Sequence, residues 1–94
     1  MVKSTKWDGS DFLTSPKAII AYLDAAFEDG DPRVIAKALG NVARVKNLPR
    51  IARDIGLTKS GLYKALSENG DPRLSTFIGA LKAIGFELKV KKAA

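Results

Sequence analysis

Two glycines interrupt a stretch that is otherwise typical of helices, "ARDIGLTKSGLYKAL" at residues 52–66. A glycine inside a helix costs about 1 kcal/mol relative to alanine, so Gly56 and Gly61 need an explanation. Two helices that cross steeply need a small residue at their contact, a positive-φ glycine in the turn and an apolar residue returning from the second helix. Ala52, Gly56 and Leu62 meet these needs in order. The spacing Ala-x3-Gly-x5-Leu therefore predicts a helix-turn-helix.

Capping residues and apolar periodicity predict three further helices around this pair. The predicted N-caps are Ser15, Asp31, Asn47 and Thr58, and the predicted helix-ending glycines are Gly30, Gly56 and Gly85. The residues expected to face the core are Ile19, Ile20, Leu23, Ala26, Phe27, Val34, Ile35, Ala38, Leu39, Val42, Ile51, Ala52, Ile55, Leu62, Ala65, Leu66, Leu74, Phe77, Ile78, Leu81 and Ile84. The predicted fold class is all-α, with five helices over residues 15–85.

Two similar heptapeptides, "EDGDPRV" at residues 28–34 and "ENGDPRL" at residues 68–74, divide the chain. In each copy the glycine is expected to end one helix and the Asp-Pro pair to begin the next. The sequences that follow the two copies diverge quickly. We interpret the copies as shared helix boundaries and not as duplicated domains.

The apolar period changes from helical to two after Gly85, where Phe86, Leu88 and Val90 alternate with charged residues. This alternation is typical of a half-buried β-strand, and a single strand is not stable alone. We predict that this short C-terminal strand pairs antiparallel with the same strand of a second copy, which makes the three residues a homodimer interface. A tail folded against the core is the alternative.

Charge is distributed unevenly along the chain, whose net charge is +6. Residues 1–31 carry three Lys against six Asp or Glu, whereas residues 32–94 carry thirteen Lys or Arg against four acidic residues. A basic body predicts a polyanionic partner, because Lys and Arg displace counterions from nucleic-acid phosphates. Ordinary solvated surface is the alternative for both regions.

The outward residues of the second helix of the pair favour contact with duplex DNA, since long basic side chains reach base edges in the major groove. The predicted DNA-binding residues are Asn47, Arg50, Thr58, Lys59, Ser60, Gly61, Tyr63, Lys64 and Ser67. Gly61 lacks a Cβ, so the backbone there can approach the bases closely. Alternatively, Gly61 packs against another helix or is neutral, and the helix pair is a scaffold without a nucleic-acid role.

Several function classes are disfavoured by composition. The chain contains no Cys and no His, so no conventional nucleophile–base pair, zinc site or disulfide framework can be drawn. We expect no enzyme activity, no metal and no cofactor. The apolar runs are too short to cross a bilayer, and the N-terminus has no signal-peptide core, so a cytoplasmic protein is expected. Residues 1–14 lack helical period and are predicted to be a flexible arm, and residues 86–94 a strand and basic tail.

Residues 51–90, "IARDIGLTKSGLYKALSENGDPRLSTFIGALKAIGFELKV", resemble the Xre/lambda-repressor-like antitoxins called probable addiction module antidote proteins, close to HigA-like antitoxins. The preceding "YLDAAFEDGDPRVIAKALGNVARVKN" extends the resemblance to residues 15–90. It implies a five-helix lambda-repressor-like domain and an antitoxin of a type II toxin–antitoxin system. Such a protein neutralises a RelE-superfamily ribonuclease and represses its own operon by binding a palindromic operator as a dimer.

The acidic front of the chain is the candidate toxin-binding surface, because a basic toxin would be attracted to it. The residues in question are Trp7, Asp8, Asp24 and Glu28. Alternatively, the acids solubilise a helix face and Trp7 packs on the core. A stand-alone, prophage-type repressor and a helix-turn-helix protein-interaction module without a toxin are the competing functions.

Overall fold

The structure, a computed structural model, describes residues 14–93. Within these residues it contains five α-helices, which run in chain order as α1 Pro16–Asp29, α2 Pro32–Lys46, α3 Leu48–Asp54, α4 Lys59–Ala65 and α5 Leu74–Ala83. Helix α1 packs on α2, α3 packs on α4, and α2, α3 and α5 pack on one another. The predicted all-α fold is confirmed for this part of the chain. Most of the predicted arm lies outside it.

Local capping explains where the first four helices begin. Ser15 Oγ accepts a hydrogen bond from Ala18 N at 3.1 Å, and Asp31 Oδ1 accepts one from Arg33 N at 2.9 Å. Asn47 Oδ1 caps α3, and Thr58 Oγ1 caps α4. These caps satisfy N–H groups that have no partner within their own helix. All four predicted N-caps are confirmed.

Two glycines with positive φ end α3 and α5 in the same way. Gly56 has φ 79° and Gly85 has φ 95°. The residue after each glycine donates its N–H back into the helix, Leu57 to the Ala52 carbonyl at 2.8 Å and Phe86 to the Leu81 carbonyl at 3.0 Å. This is a Schellman motif, for which a residue without a Cβ is favoured. Both predicted helix ends are confirmed.

The core lies where the five helices meet. Its largest fully buried side chains are Ile19, Leu39, Val42, Ile51, Leu62 and Leu66. Ala52 is also buried, as the spacing around Gly56 predicts. Helix α2 approaches the end of α4 so closely that a Cβ at Gly40 would clash with the Leu66 backbone.

Four residues predicted to face the core are instead exposed: Ile20, Phe27, Val34 and Leu74. Leu74 is 70% exposed because it is the first residue of α5, where the helix has not yet reached its neighbours. Ile20 and Phe27 lie on a side of α1 that no other described helix covers fully. Helical periodicity selected an apolar stripe wider than the surface that the neighbouring helices cover.

The second heptapeptide does not begin a helix as the first one does. Asp31 caps α2, and Pro32 is its first residue, as predicted. Helix α5 starts at Leu74, its N-cap position is Arg73, and no side chain caps it. The expectation that Asp71 and Pro72 begin α5 is therefore wrong. Helix α4 ends at Ala65, well before Gly70. Residues 66–73 therefore form the connection between α4 and α5.

The C-terminal segment, residues 86–93, forms no strand within the described chain. Phe86 is half-buried and packs against the core, whereas Leu88 is 45% exposed and Val90 is completely exposed. The predicted strand is not seen in a single copy, because no neighbouring described segment offers it a backbone to pair with.

No helix of residues 14–93 combines the length and apolarity that a bilayer crossing requires.

Candidate nucleic-acid interface

The outward face of α4 carries the residues predicted to read DNA. Leu62 is fully buried and fixes the helix against the core, so the residues on the other side point to solvent. Lys59, Ser60, Tyr63 and Lys64 are all exposed, Tyr63 by 51%. The structure thus brings these four side chains together on one open surface, which we call the α4 face.

The two α4 lysines have no acidic partner among residues 14–93. The ion pairs in this part of the chain join Arg33 to Asp31, Lys37 to Glu68 and Arg50 to Asp54. None of them involves Lys59 or Lys64. The α4 face therefore carries two positive charges that no described carboxylate offsets, which is the electrostatic condition for attracting a polyanion.

Three of the predicted DNA-binding residues are occupied in holding helix ends. Asn47 Oδ1 accepts from Arg50 N at 3.1 Å, and Thr58 Oγ1 accepts from Gly61 N at 2.9 Å. Ser67 Oγ donates to the Lys64 carbonyl at 2.8 Å. These side chains fix where α3 and α4 begin and where α4 ends, and so they position the α4 face.

Arg50 is bound within the protein. Its Nη1 donates to Asp54 Oδ2 at 3.1 Å, and its Nη2 donates to the Ala83 carbonyl at 3.3 Å. The Ala83 contact joins α3 to the last residue of α5, since the guanidinium reaches across 33 residues of sequence. We therefore assign Arg50 to holding α3 on α5.

Gly61 does not pack against another helix. A Cβ built on it would lie 3.0 Å from Thr58 Oγ1, the hydroxyl that caps its own helix, and no atom of another described helix lies within 4 Å of it. The glycine is exposed on the first turn of α4. An alanine at Gly61 would press on the cap and would also add a methyl group to the α4 face.

Sequence reasoning missed Arg44, whose guanidinium carbon lies 4.9 Å from the centre of the Tyr63 ring. Arg44 Nη2 also donates to Asn41 Oδ1 at 2.9 Å, and Asn41 Nδ2 donates to the Tyr22 hydroxyl at 2.8 Å. The chain of contacts runs from α1 through α2 to Tyr63 on α4. Arg44 thus adds a positive charge beside the α4 face and stacks on its aromatic residue. No local sequence pattern predicts the contact between residues 44 and 63, because they lie in different helices.

The predicted toxin-binding and dimer residues lie on a different part of the molecule. Asp24 and Glu28 are exposed on α1, where they line a groove that also borders the C-terminal segment. The predicted toxin residues Trp7 and Asp8 lie outside the described residues. The three predicted dimer residues, Phe86, Leu88 and Val90, line the same groove.

Comparisons with known proteins address the identity of the chain directly. The family model described as "probable addiction module antidote protein" matches residues 3–92. The chain is also similar to an uncharacterised protein of Haemophilus influenzae strain Rd, at 37% identity over 87 residues that cover 93% of this chain and 90% of the relative. No solved structure matches significantly. The resemblance read from residues 15–90 is confirmed at the level of the family, and the chain belongs to the probable addiction module antidote proteins.

Proposed function

We propose that this chain is the antitoxin of a type II toxin–antitoxin pair. In this proposal it neutralises a RelE-superfamily ribonuclease, and as a homodimer it binds the palindromic operator of its own operon and represses transcription. The antidote family implies a toxin partner of some kind. The DNA-binding part rests on a helix-turn-helix of the Xre/lambda-repressor-like kind, formed by α3 and α4.

The observation that carries the DNA-binding part is the α4 face. Lys59 and Lys64 lie on one exposed surface with Ser60 and Tyr63, and no described carboxylate pairs with either lysine. Lys can bond guanine O6 and N7 in the major groove, and hydroxyl groups bond phosphates or bases. Thr58 and Gly56 fix the start of α4 and its turn from α3, so the four side chains are presented on a positioned helix.

The toxin-binding part is supported by charge. Asp24 and Glu28 are exposed one helical turn apart on α1, on the acidic front of a chain whose remainder is basic. A small basic ribonuclease would be attracted to this face and repelled by the α4 face. The two partners would then bind different sides of the same molecule.

Footprinting on the DNA upstream of the protein's own gene tests the DNA-binding part. We expect a palindromic protected site whose half-sites lie about 34 Å apart or a multiple of that distance. Binding that falls steeply with salt but protects no defined site would contradict operator recognition and would favour a module that binds nucleic acid nonspecifically.

Co-purification with the product of the adjacent gene tests the toxin-binding part. We expect a short basic protein to be retained by the chain, and its ribonuclease activity to be suppressed in the complex. Reversing the α1 charges with Asp24→Lys and Glu28→Lys should weaken retention, whereas Asp71→Lys, also at an exposed acidic residue, should not. A specific operator footprint without any toxin gene would instead identify a stand-alone repressor.

A further inference from the structure

A groove of about 630 Å³ runs between α1 and the C-terminal segment, and it is lined by apolar side chains together with charged ones such as Asp24 and Glu28. Its α1 side includes Ile20, Leu23 and Phe27, and its C-terminal side includes Leu88 and Val90. Of these five residues only Leu23 is buried. Four large apolar side chains therefore remain in contact with water along one groove, which is unusual for a surface with no partner.

The backbone beside this groove is also unpaired. Within residues 14–93, the last backbone hydrogen bond toward the C-terminus is donated by Phe86 N to the Leu81 carbonyl. Residues 87–93 make no backbone hydrogen bond to any other described residue. A segment with unpaired N–H and C=O groups can form an edge to which another strand adds.

We propose that the C-terminal segment of a second copy occupies this groove, pairing antiparallel with residues 86–90 about a two-fold axis at Leu88. The inference deepens and rests on the homodimer of the proposed function, and it adds the register and the part of α1 that the dimer covers. Because the contact is isologous, each copy supplies both a groove and the strand that fills the other groove.

The register follows from which residues lie opposite each other across the axis. With the axis at Leu88, Phe86 lies opposite Val90 of the other copy, and Glu87 lies opposite Lys89. All direct pairs are then apolar with apolar or acid with base. By symmetry each pair occurs twice, except the Leu88 pair on the axis itself, which occurs once. Such cross-strand pairs stabilise a sheet, whereas like charges directly opposite destabilise it.

The other registers lose this match. An axis at Lys89 places the two Lys89 side chains opposite each other, and an axis at Glu87 does the same for two carboxylates. An axis between two residues puts apolar side chains opposite charged ones, which moves half of the apolar set to the wrong face. Among these registers, only the one about Leu88 satisfies both faces of the pair.

The apolar face of the paired strands also fits the groove. Phe86 packs against the core, so its side of the strand faces the body of the protein. When residues 86–90 pair as a strand, Leu88 and Val90 share that face with Phe86, because side chains alternate along a strand. Pairing therefore places six apolar side chains, three from each copy, toward Ile20 and Phe27 of the two α1 helices.

A cysteine placed at the axis tests the register directly, since the chain has no cysteine of its own. Residues opposite each other in an antiparallel pair have Cα atoms about 4.5–5.5 Å apart, within disulfide range. Under mild oxidation, Leu88→Cys should form a disulfide-linked dimer at low protein concentration. Leu74→Cys, at another exposed leucine, should remain predominantly monomeric on a denaturing gel. Absence of the Leu88→Cys dimer, or equal cross-linking of the control, would overturn the proposal.

A charge exchange gives an independent test in the uncross-linked full chain, measured by sedimentation equilibrium. Glu87→Lys and Lys89→Glu alone should each raise the dimer Kd by about tenfold, because each places like charges opposite one another twice. The double variant should restore the wild-type Kd. A wild-type chain that stays monomeric, or a double variant no better than the single ones, would contradict the proposal and leave the groove to residues 1–13 or to another protein. Neither test uses DNA or toxin, so a confirmed dimer that binds neither would refute the proposed function alone.

Discussion

The α4 face and the groove beside α1 are both open to solvent, but they expose different groups. On α4 the N–H groups of Gly61 and Leu62 are bonded to Thr58, and the groups that project furthest toward a partner are the side chains of Lys59, Ser60, Tyr63 and Lys64. Along residues 87–93 the backbone is unpaired within the described chain, and the nearby side chains are mostly apolar. The first surface suits a charged polymer that side chains can contact. The second suits a β-strand whose backbone can form hydrogen bonds with the unpaired residues.

The comparison predicts that damage to the groove has the largest effect on operator binding. Leu88→Asp would place two carboxylates together at the two-fold axis and should abolish the dimer. Affinity for the full palindrome should then fall about 10²-fold or more, because the two half-sites no longer bind as one unit. Gel shifts on the whole operator and on an isolated half-site would measure this. Leu74→Asp is the matched control, and an equal loss on the half-site would break the distinction between the two surfaces.

Damage to the α4 face should act on DNA without affecting self-association. Lys59→Ala combined with Lys64→Ala should reduce operator affinity about 10²-fold, since each base or phosphate contact contributes about 1–3 kcal/mol. Lys17→Ala combined with Lys82→Ala removes the same charge from α1 and α5 and should have a much smaller effect. Fluorescence anisotropy with labelled operator gives the affinities. If the α4 variant still protects the same bases, α4 is not the helix that enters the DNA major groove.

Arg44 should contribute to the α4 face through the Tyr63 ring. Arg44→Gln should weaken operator binding about three- to fivefold, which corresponds to an exposed cation–π contact. Tyr63→Leu should produce a similar loss, and the double variant should be little worse than either one. Arg53→Gln removes an equal charge from the exposed side of α3 and provides the control. Strictly additive losses would show that Arg44 and Tyr63 act separately.

Gly61→Ala sharpens the comparison within α4. Sequence reasoning predicts a more stable protein, because alanine favours helix by about 1 kcal/mol. The new Cβ would lie only 3.0 Å from Thr58 Oγ1, so weakening of the cap should cancel much of that gain. We expect a melting temperature within about 4 °C of the parent and an operator affinity reduced several-fold. A variant that binds as well as the parent would exclude close approach of Gly61 to DNA.

The smallest expected effect concerns a cap that belongs to neither surface. Hydrogen bonds from the backbone N–H and the guanidinium of Arg33 lower the pKa of Asp31 below its ordinary value. A lowered folded-state pKa gives stability that is present above the unfolded pKa, about 3.9, and is lost as the pH falls through the folded value. Asp31→Asn should therefore flatten the decline of melting temperature between about pH 5 and pH 2.

Asp71→Asn is the matched control for this prediction. Asp71 lies between a glycine and a proline in the second heptapeptide, as Asp31 does in the first. Its carboxylate, however, caps no described helix. Its melting temperature should follow the parental pH dependence. Neither Asp31→Asn nor Asp71→Asn should alter dimerisation or operator affinity at neutral pH. A change in dimerisation or in affinity with Asp31→Asn would link α2 to one of the two surfaces.

Much of the candidate site could be predicted because it depends on local spacing. Lys59, Ser60, Tyr63 and Lys64 follow Thr58 at helical intervals, and burying Leu62 fixes which way they point. The contact of Arg50 with the Ala83 carbonyl could not be predicted, since it joins residues that are far apart in sequence. Arg44 was missed for the same reason.

The sequence alone determined the beginnings of the first four helices, the positive-φ turns at Gly30, Gly56 and Gly85, and the alternating pattern after Gly85. Each of these depends on interactions among residues a few positions apart. The tertiary structure decided that Ile20 and Leu74 remain exposed, that Asp71 caps none of the described helices, and that α1 and the C-terminal segment border one groove. Those outcomes depend on how far apart the packed helices lie. That distance cannot be read from the residues next to a given position in the sequence.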